Sequence, residues 1–314
     1  MLWWSMIESV PNVSEGVRTE VVDAIAGAAR AVPGALLLDH SADPSHNRSV
    51  FTLAGTVGSV VEALLRLVEV SLTRIDLRQH RGVHPRLGAV DVVPFIPLDG
   101  ATLADCVDVS HQFAATVAGR FGIPVFLYEA SASRPHRRRL EDVRRGQFEG
   151  LAAKLRQPEW QPDYGPAVPH PTAGALIAGA RRPLIAFNVN LTTSDVACAQ
   201  AIAAVVRERG GGLRAVKALG LPLGHRRLAQ VSMNLTDFTT TGVQAAFDAV
   251  LAEARARGVD VLESELIGLI PEAALAGTSA ERLRLTGFRQ SQILEVRIAQ
   301  QVQRAGEAAR PARP

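Results

Sequence analysis

Apolar and polar residues alternate along this chain in blocks that predict two halves with the same order of elements. In the second half, apolar, β-prone runs predict four strands, at 183–191, 213–221, 228–235 and 259–270. Residues 193–210 and 242–257 carry apolar positions at helical spacing and end at glycines, so they predict two helices. The resulting order, β-α-β-β-α-β, is that of the ferredoxin-like unit.

The first half repeats this order. Its pattern predicts strands at 7–13, 35–40, 48–54 and 91–97, helices at 15–31 and 59–76, and then one more helix at 103–121 and a strand at 125–129. Asn12-Val13-Ser14 and Asn188-Val189-Asn190 end the first strand of each half, which supports a repeat. We therefore predict an α+β fold of two ferredoxin-like (βαββαβ-type) subdomains, with mixed β-sheets and helices on the outer faces.

The length of 314 residues fits two domains. We predict an N-terminal subdomain over 1–180, a C-terminal subdomain over 181–300 and a disordered tail over 301–314. The stretch 157–182 is rich in proline and glycine and is typical of a linker. It also holds Trp160, Tyr164 and His170, which a purely flexible linker does not need.

Composition narrows the class of protein. Hydrophobic residues make up 47% of the chain, and no apolar run is long enough to span a membrane. Two distant cysteines indicate reduced thiols, so we expect a cytoplasmic protein. The arginine-rich stretch 134–145 has no interleaved aromatic residues, which favours a solvated helix over a nucleic-acid contact. Phosphate-loop, dinucleotide, nucleophile-elbow and zinc motifs are missing, and we expect no metal.

The densest polar chemistry lies in the stretch HRGVHPRLGAVD, residues 80–91. Its glycines allow backbone angles closed to other residues, and Pro85 biases His84 toward an extended conformation. A histidine held in this way can act as a general acid or base. The residue pattern alone leaves open whether His84 or His80 is catalytic or structural, and whether Asp91 orients an imidazole or an arginine.

A second polar loop, DHSADPSHNR at 39–48, lies between two predicted strands. Its Asp-Pro pair is typical of a hairpin turn, and nothing in it fixes a metal geometry. Arg48, at the start of the next strand, is the better candidate for binding an anionic ligand.

Several ordered motifs together resemble the glutamate formimidoyltransferase family. They are VPNVSEG (10–16), HNRSV (46–50), HRGVHPRLGAVDVVPFIP (80–97), PVFLYEA (124–130), PDYGP (162–166), LIAFNVNL (184–191), LAQVSMNLTDF (228–238) and ELIGLIP (265–271). The resemblance extends over almost the whole chain, from about 7 to 298. In mammals this domain is fused to a cyclodeaminase, and we expect that deaminase step to lie elsewhere here.

The resemblance implies transfer of a formimidoyl group from N-formimidoyl-L-glutamate to N5 of tetrahydrofolate, a late step of histidine breakdown in one-carbon metabolism. It implies a folate co-substrate bound between the subdomains, a homodimer, and small-molecule partners rather than nucleic acid or membrane. It also implies that the catalytic residue is His84. The folate-contacting segment corresponds to Tyr164, Gly165, Pro166, Ala167, Val168, Pro169, His170, Pro171 and Thr172.

The substrate carboxylates need cationic or amide partners, and six residues are candidates: Arg48, Arg81, Arg86, Asn12, Asn188 and Asn190. An arginine paired inside the protein is the alternative for each of the three arginines. The sequence departs from the family at Val83, where relatives often carry glutamate, so another residue, such as Asp91, would have to replace it. Two other functions stay open: formyl transfer to tetrahydrofolate, and folate binding without catalysis.

Overall fold

Two sheets, one in each half of the chain, organise the fold. The computed structural model describes residues 5–82, 84–223 and 226–308. The chain divides into two units between Arg181 and Arg182. Each unit contains four strands in the spatial order 4-1-3-2, the order of a ferredoxin-like βαββαβ sheet. The predicted α+β class and the predicted internal repeat are therefore confirmed.

The first unit begins with the repeat and then adds to it. Its elements are β1 (Met6–Ser9), β2 (Asn12–Val13), α1 (Thr19–Arg30), β3 (Ala35–Asp43), β4 (Arg48–Thr56), α2 (Val57–Arg74), β5 (Val90–Pro97), α3 (Leu103–Phe121), β6 (Val125–Leu127), α4 (Leu140–Arg144), α5 (Gln147–Lys154) and β7 (Leu176–Ala180). Pro11 divides the first predicted strand into β1 and β2, because proline has no N–H for the ladder. Both pieces lie antiparallel between β4 and β5.

Strand β7 corrects the linker prediction for 157–182. All five of its residues are buried, and it pairs in parallel with β5 on one side and β6 on the other. The run LIAGA contains two alanines and one glycine, so its weak strand propensity hid it from sequence reasoning. The sheet of the first unit is mixed because of these parallel pairs.

Helices cover both faces of the first sheet. One face packs against α1, α2 and α3, and buried positions such as Ile25, Leu64 and Phe113 form this core. On the opposite face, α4 and α5 cover β5, β6 and β7 through a smaller core that includes Val143 and Leu151. This second layer brings the arginine-rich stretch 134–145 against the sheet. Arg137 and Val143 are buried there, whereas Arg138, Arg139 and Arg145 are exposed, so the predicted solvated helix is only partly correct.

The second unit is the simpler repeat. Its elements are β8 (Ile185–Leu191), α6 (Val196–Val206), β9 (Val216–Leu223), β10 (Leu228–Leu235), α7 (Val243–Ala256), β11 (Val261–Ile267) and α8 (Leu294–Ala308). Its sheet is antiparallel throughout, in the order β11-β8-β10-β9. Helix α8 continues to Ala308, so residues 301–308 are helical where we expected a disordered tail, and 309–314 lie outside the described residues.

Candidate functional site

Asn47 joins the two polar loops singled out in the sequence. Its side-chain oxygen accepts from the Gly16 N–H at 2.9 Å, and its Nδ2 donates to the Arg81 carbonyl at 2.8 Å. Its own carbonyl accepts from Nε2 of His80 at 2.8 Å. Asn47 has a φ of 49°, a conformation that asparagine tolerates better than most residues. The turn before β4 is thereby fixed against the loop that precedes β5.

Gly82 and Gly88 are needed for space rather than for unusual backbone angles. Neither has a positive φ among the residues described. A Cβ on Gly82 would lie 2.4 Å from the His46 carbonyl oxygen, and a Cβ on Gly88 would lie 2.0 Å from that of Ala175. The predicted need for unusual backbone angles at Gly82 and Gly88 is therefore wrong. These positions need glycine because neighbouring backbone atoms approach them closely.

His84 lies half-buried where these loops meet. Its Nε2 contacts a guanidinium nitrogen of Arg48, and the His46 ring stands edge-on with its centroid 6.1 Å away. Since an arginine N–H can only donate, Nε2 must accept, which requires a neutral imidazole with its proton on Nδ1. Burial, followed by the cations of Arg48 and Arg144, lowers the pKa of His84 to about 3. The residue before it, Val83, lies outside the described residues.

Arg48 is the most distinctive cation of the site. Burial and the nearby Arg144 lower its pKa to about 10. Within the described part of the chain, its buried Nε has no hydrogen-bond partner. An arginine that is only partly satisfied, beside a neutral base, is suited to receive a carboxylate.

Arg86 is held inside the protein. Its two terminal nitrogens donate to the Glu149 carboxylate at 3.0 and 2.6 Å, and its Nε donates to Nδ1 of His80 at 3.0 Å. Gln147 takes a further bond from the same guanidinium at 3.2 Å. For Arg86 the geometry favours the internally paired alternative over substrate binding.

Asp91 binds an arginine rather than an imidazole. Its Oδ2 accepts from Nε of Arg144 at 2.8 Å, and its Oδ1 accepts from the Leu87 N–H at 2.6 Å. The sequence pattern does not reveal Arg144 as part of the site, because an arginine-rich stretch such as 134–145 is typical of a solvated helix. Arg137 in that stretch is fully buried and pairs with Asp163 at 2.8 Å, which corrects the same prediction.

The predicted folate segment runs from Tyr164 to Thr172 and is mostly exposed at Gly165–Val168. The Tyr164 hydroxyl bonds to Nδ1 of the half-buried His111 at 2.9 Å, which ties the start of the segment to α3. Nδ1 of His170 accepts from the Ala173 N–H at 3.1 Å, which turns the chain back toward β7. Pro171 is also exposed, whereas Pro169, His170 and Thr172 are half-buried.

The three candidate asparagines differ in environment. Asn12 donates to the Val10 carbonyl at 2.9 Å, while its buried Oδ1 has no partner among the described residues. Asn190, in the second unit, is fully buried and bonded to Gln230, Glu263 and Glu265. Asn188 is half-buried on the same strand. Asn190 therefore belongs to an internal polar network of its sheet.

Two general features of the described residues complete the picture. No group of three or more His, Cys, Asp or Glu side chains among them could hold a metal ion. None of the helices described combines the length and the apolarity that a membrane crossing requires.

The first unit therefore presents a neutral imidazole among arginines at the junction of two loops. A base of this kind can move protons on substrates that carry carboxylates, so the site is typical of an acid/base enzyme that handles small anions.

Comparison with known proteins identifies the family. Residues 6–181 match the N-terminal subdomain of the formiminotransferase domain, and residues 186–307 match the formiminotransferase domain itself. The chain is 46% identical to a curated glutamate formimidoyltransferase of Streptococcus pyogenes serotype M1, over 92% of this chain and 97% of that protein. It is 41% identical to a glutamate formimidoyltransferase of Thermoplasma acidophilum, over 93% and 96% of the two chains.

A third relative is longer. The chain is 42% identical to the formimidoyltransferase-cyclodeaminase of Sus scrofa over 88% of its own length, and it spans about half (52%) of that protein. Taken with the two domain matches, these relatives show that the chain belongs to the formiminotransferase family. The resemblance described from the motifs is thereby confirmed.

Proposed function

We propose that this protein is a glutamate formimidoyltransferase, which transfers the formimidoyl group of N-formimidoyl-L-glutamate to N5 of tetrahydrofolate. The family membership supports this reaction and confirms the expected class, a transferase of one-carbon groups. Within the structure, the observation that carries the proposal is the neutral His84 in contact with Arg48.

The reaction exchanges one carbon–nitrogen bond for another. The N5 lone pair attacks the formimidoyl carbon, and a tetrahedral intermediate with three nitrogens forms. His84 takes the proton that N5 loses and passes it to the glutamate nitrogen. That nitrogen then departs as an amine when its bond to the carbon breaks. The products are 5-formimidoyltetrahydrofolate and L-glutamate, and proton transfer of this kind contributes about 10²- to 10⁴-fold in rate.

Arg48 has a second role in this scheme. While its guanidinium donates to Nε2 of His84, that nitrogen cannot accept a substrate proton. A glutamate carboxylate would draw Arg48 away, because a charge-assisted bond to a carboxylate is stronger than one to a neutral imidazole. The base is then free only when an anionic substrate is present, and the loss of a neighbouring cation strengthens it.

The remaining contacts are assigned by residue type. The exposed segment Tyr164–Thr172 would contact folate, and the unpartnered Oδ1 of Asn12 would accept an N–H from a substrate. Asn188 stays a candidate ligand, whereas the bonds already made by Asn190 and Arg86 favour supporting roles for both.

The test is a turnover assay with the purified full chain, tetrahydrofolate and either N-formimidoylglutamate or N-formylglutamate, followed by absorbance of the folate product. We expect turnover with the formimidoyl donor. Turnover with the formyl donor alone would replace the proposal by formyl transfer. Folate binding without turnover of either donor would replace it by a binding function. Arg48→Gln should raise KM for the donor more than KM for tetrahydrofolate.

A further inference from the structure

Arg144 makes a buried contact that the proposed reaction does not use. Its guanidinium lies against the Asp91 carboxylate, with Nε at 2.8 Å and a terminal nitrogen at 2.5 Å from Oδ2. The side chain of Asp91 is 4% exposed and that of Arg144 is 13% exposed. A buried ion pair of this kind contributes little net stability compared with an apolar pair, so its presence beside His84 points to another role.

The other oxygen of Asp91 holds the loop that carries His84. Oδ1 accepts from the Leu87 N–H at 2.6 Å, and it lies 3.4 Å from the Gly88 nitrogen. The Gly88 carbonyl in turn accepts from the Ser14 hydroxyl at 2.7 Å. Asp91 thus connects Arg144 to the backbone of Leu87, three residues beyond His84. The Gly88 carbonyl connects the same loop to Ser14, which follows β2.

Lys154 fixes the backbone on both sides of Arg144. Its ammonium donates to the carbonyls of Val143 at 2.5 Å and Arg145 at 3.1 Å. It also lies 3.7 Å from the centre of the Trp160 ring. These bonds close the C-terminus of the short helix α4, where the carbonyls would otherwise lack partners. Arg144 is therefore held at its backbone as well as at its guanidinium.

Four charged or titratable groups influence the His84 imidazole from the elements around it. Arg48 starts β4, Arg144 ends α4, Asp91 lies in β5, and His46 lies in the turn before β4. Arg144 is the only one of the four that comes from the helical layer covering the sheet.

We propose that Arg144 is a positioning residue for His84: it holds Asp91, and through it the 87–88 backbone, and it places a cation beside the imidazole. The inference rests on the proposed function, because that function makes His84 the base. It adds a residue from a part of the chain that carries none of the recognised motifs.

Substitution of Arg144 should therefore separate charge from geometry. In Arg144→Gln the cation is lost, which favours protonation of His84. We expect kcat to fall by about 10- to 100-fold with little change in either KM, since misplacement of a catalytic group acts on the chemical step. The acid limb of kcat/KM should move to higher pH, because the pKa of His84 rises from about 3 toward 6.5. Arg144→Lys keeps the charge and should move this limb less.

The deciding measurement follows His84 itself. Titration of its imidazole by NMR in the full chain needs no turnover, so it tests Arg144 even if the proposed reaction is wrong. We expect His84 to titrate at higher pH in Arg144→Gln than in the wild type. An unchanged titration, or a wild-type kcat in the folded variant, would overturn the inference. If Arg144→Gln does not fold, Arg144→Lys decides: unchanged kcat in that variant, where the Nε hydrogen bond to Asp91 is lost, also overturns it.

The matched control is Arg145→Gln. Arg145 is the next residue, its side chain is 79% exposed, and it pairs with Asp142 rather than with Asp91. We expect wild-type kcat and an unchanged His84 titration in this variant.

Discussion

The carbonyl oxygen of Asn47 accepts a hydrogen bond from Nε2 of His80 at 2.8 Å. The other ring nitrogen of His80 accepts from Nε of Arg86 at 3.0 Å, so both of its nitrogens are engaged by the protein. His84 lies four residues further on, and its Nε2 faces Arg48 instead. Two histidines of one loop therefore differ in chemistry because different groups surround them.

Replacing each histidine by alanine should affect different properties. We expect His84→Ala to fold, to retain folate binding and to lose about 10²- to 10⁴-fold in kcat, because the base is gone. His80→Ala removes two hydrogen bonds within the loop framework and should cost about 1–3 kcal/mol of unfolding free energy. Its loss of kcat should be much smaller. Assays of turnover and denaturant unfolding compare the two variants, and near-wild-type turnover of His84→Ala would contradict the proposed mechanism.

The low pKa of His84 also predicts a dependence of stability on pH. Between about pH 3 and pH 6.5 the unfolded chain binds a proton at His84 that the folded chain does not bind. The free energy of unfolding should therefore fall as pH drops below about 6.5, and His84 should have no effect on this dependence above that value. His84→Gln removes the contribution and should show a shallower fall on acidification. Parallel curves for the two chains in denaturant titrations would rule out a depressed pKa.

The close packing of the two loops can be tested at Gly82. In Gly82→Ala the new Cβ would meet the His46 carbonyl oxygen at 2.4 Å and force the turn before β4 away from the loop of His84. We expect reduced kcat in a protein that still folds, since a small displacement of catalytic groups is costly. Gly27→Ala is the control, because its Cβ meets nothing within 4 Å in α1, and it should stabilise by about 0.5–1 kcal/mol. Equal kcat in the two variants would show that the close approach of Gly82 to the His46 carbonyl does not position the catalytic loop.

Arg137 should matter for stability rather than for chemistry. It is fully buried, and it donates to Asp163 and to the carbonyls of Glu159 and Gln161. Arg137→Met leaves the buried Asp163 charge without its partner, so we expect a loss of about 3–5 kcal/mol of unfolding free energy.

Arg139→Met, at an exposed position of the same stretch, is the control for that variant. It should lie within about 0.5 kcal/mol of the wild type. Thermal or denaturant unfolding measures both variants, and similar stabilities would show that the buried ion pair is not needed.

The order of elements could be predicted from the sequence because it depends on local pattern. Helix α3 lies at Leu103–Phe121 and strand β10 at Leu228–Leu235, where the apolar periodicity placed them. Strand β7 could not be predicted, because its alanines and glycine carry little propensity. Its strand conformation depends on the pairing with β5 and β6, which are distant in the chain.

The sequence by itself determined the two ferredoxin-like repeats, the family and the importance of the loop around His84, since these depend on periodicity and contiguous motifs. Only the tertiary structure decided which charges surround that histidine. Arg48 lies 36 residues before it and Arg144 lies 60 residues after it. Electrostatic interaction and burial depend on distance in space, and nothing in the spacing of residues 84 and 144 along the chain records that distance.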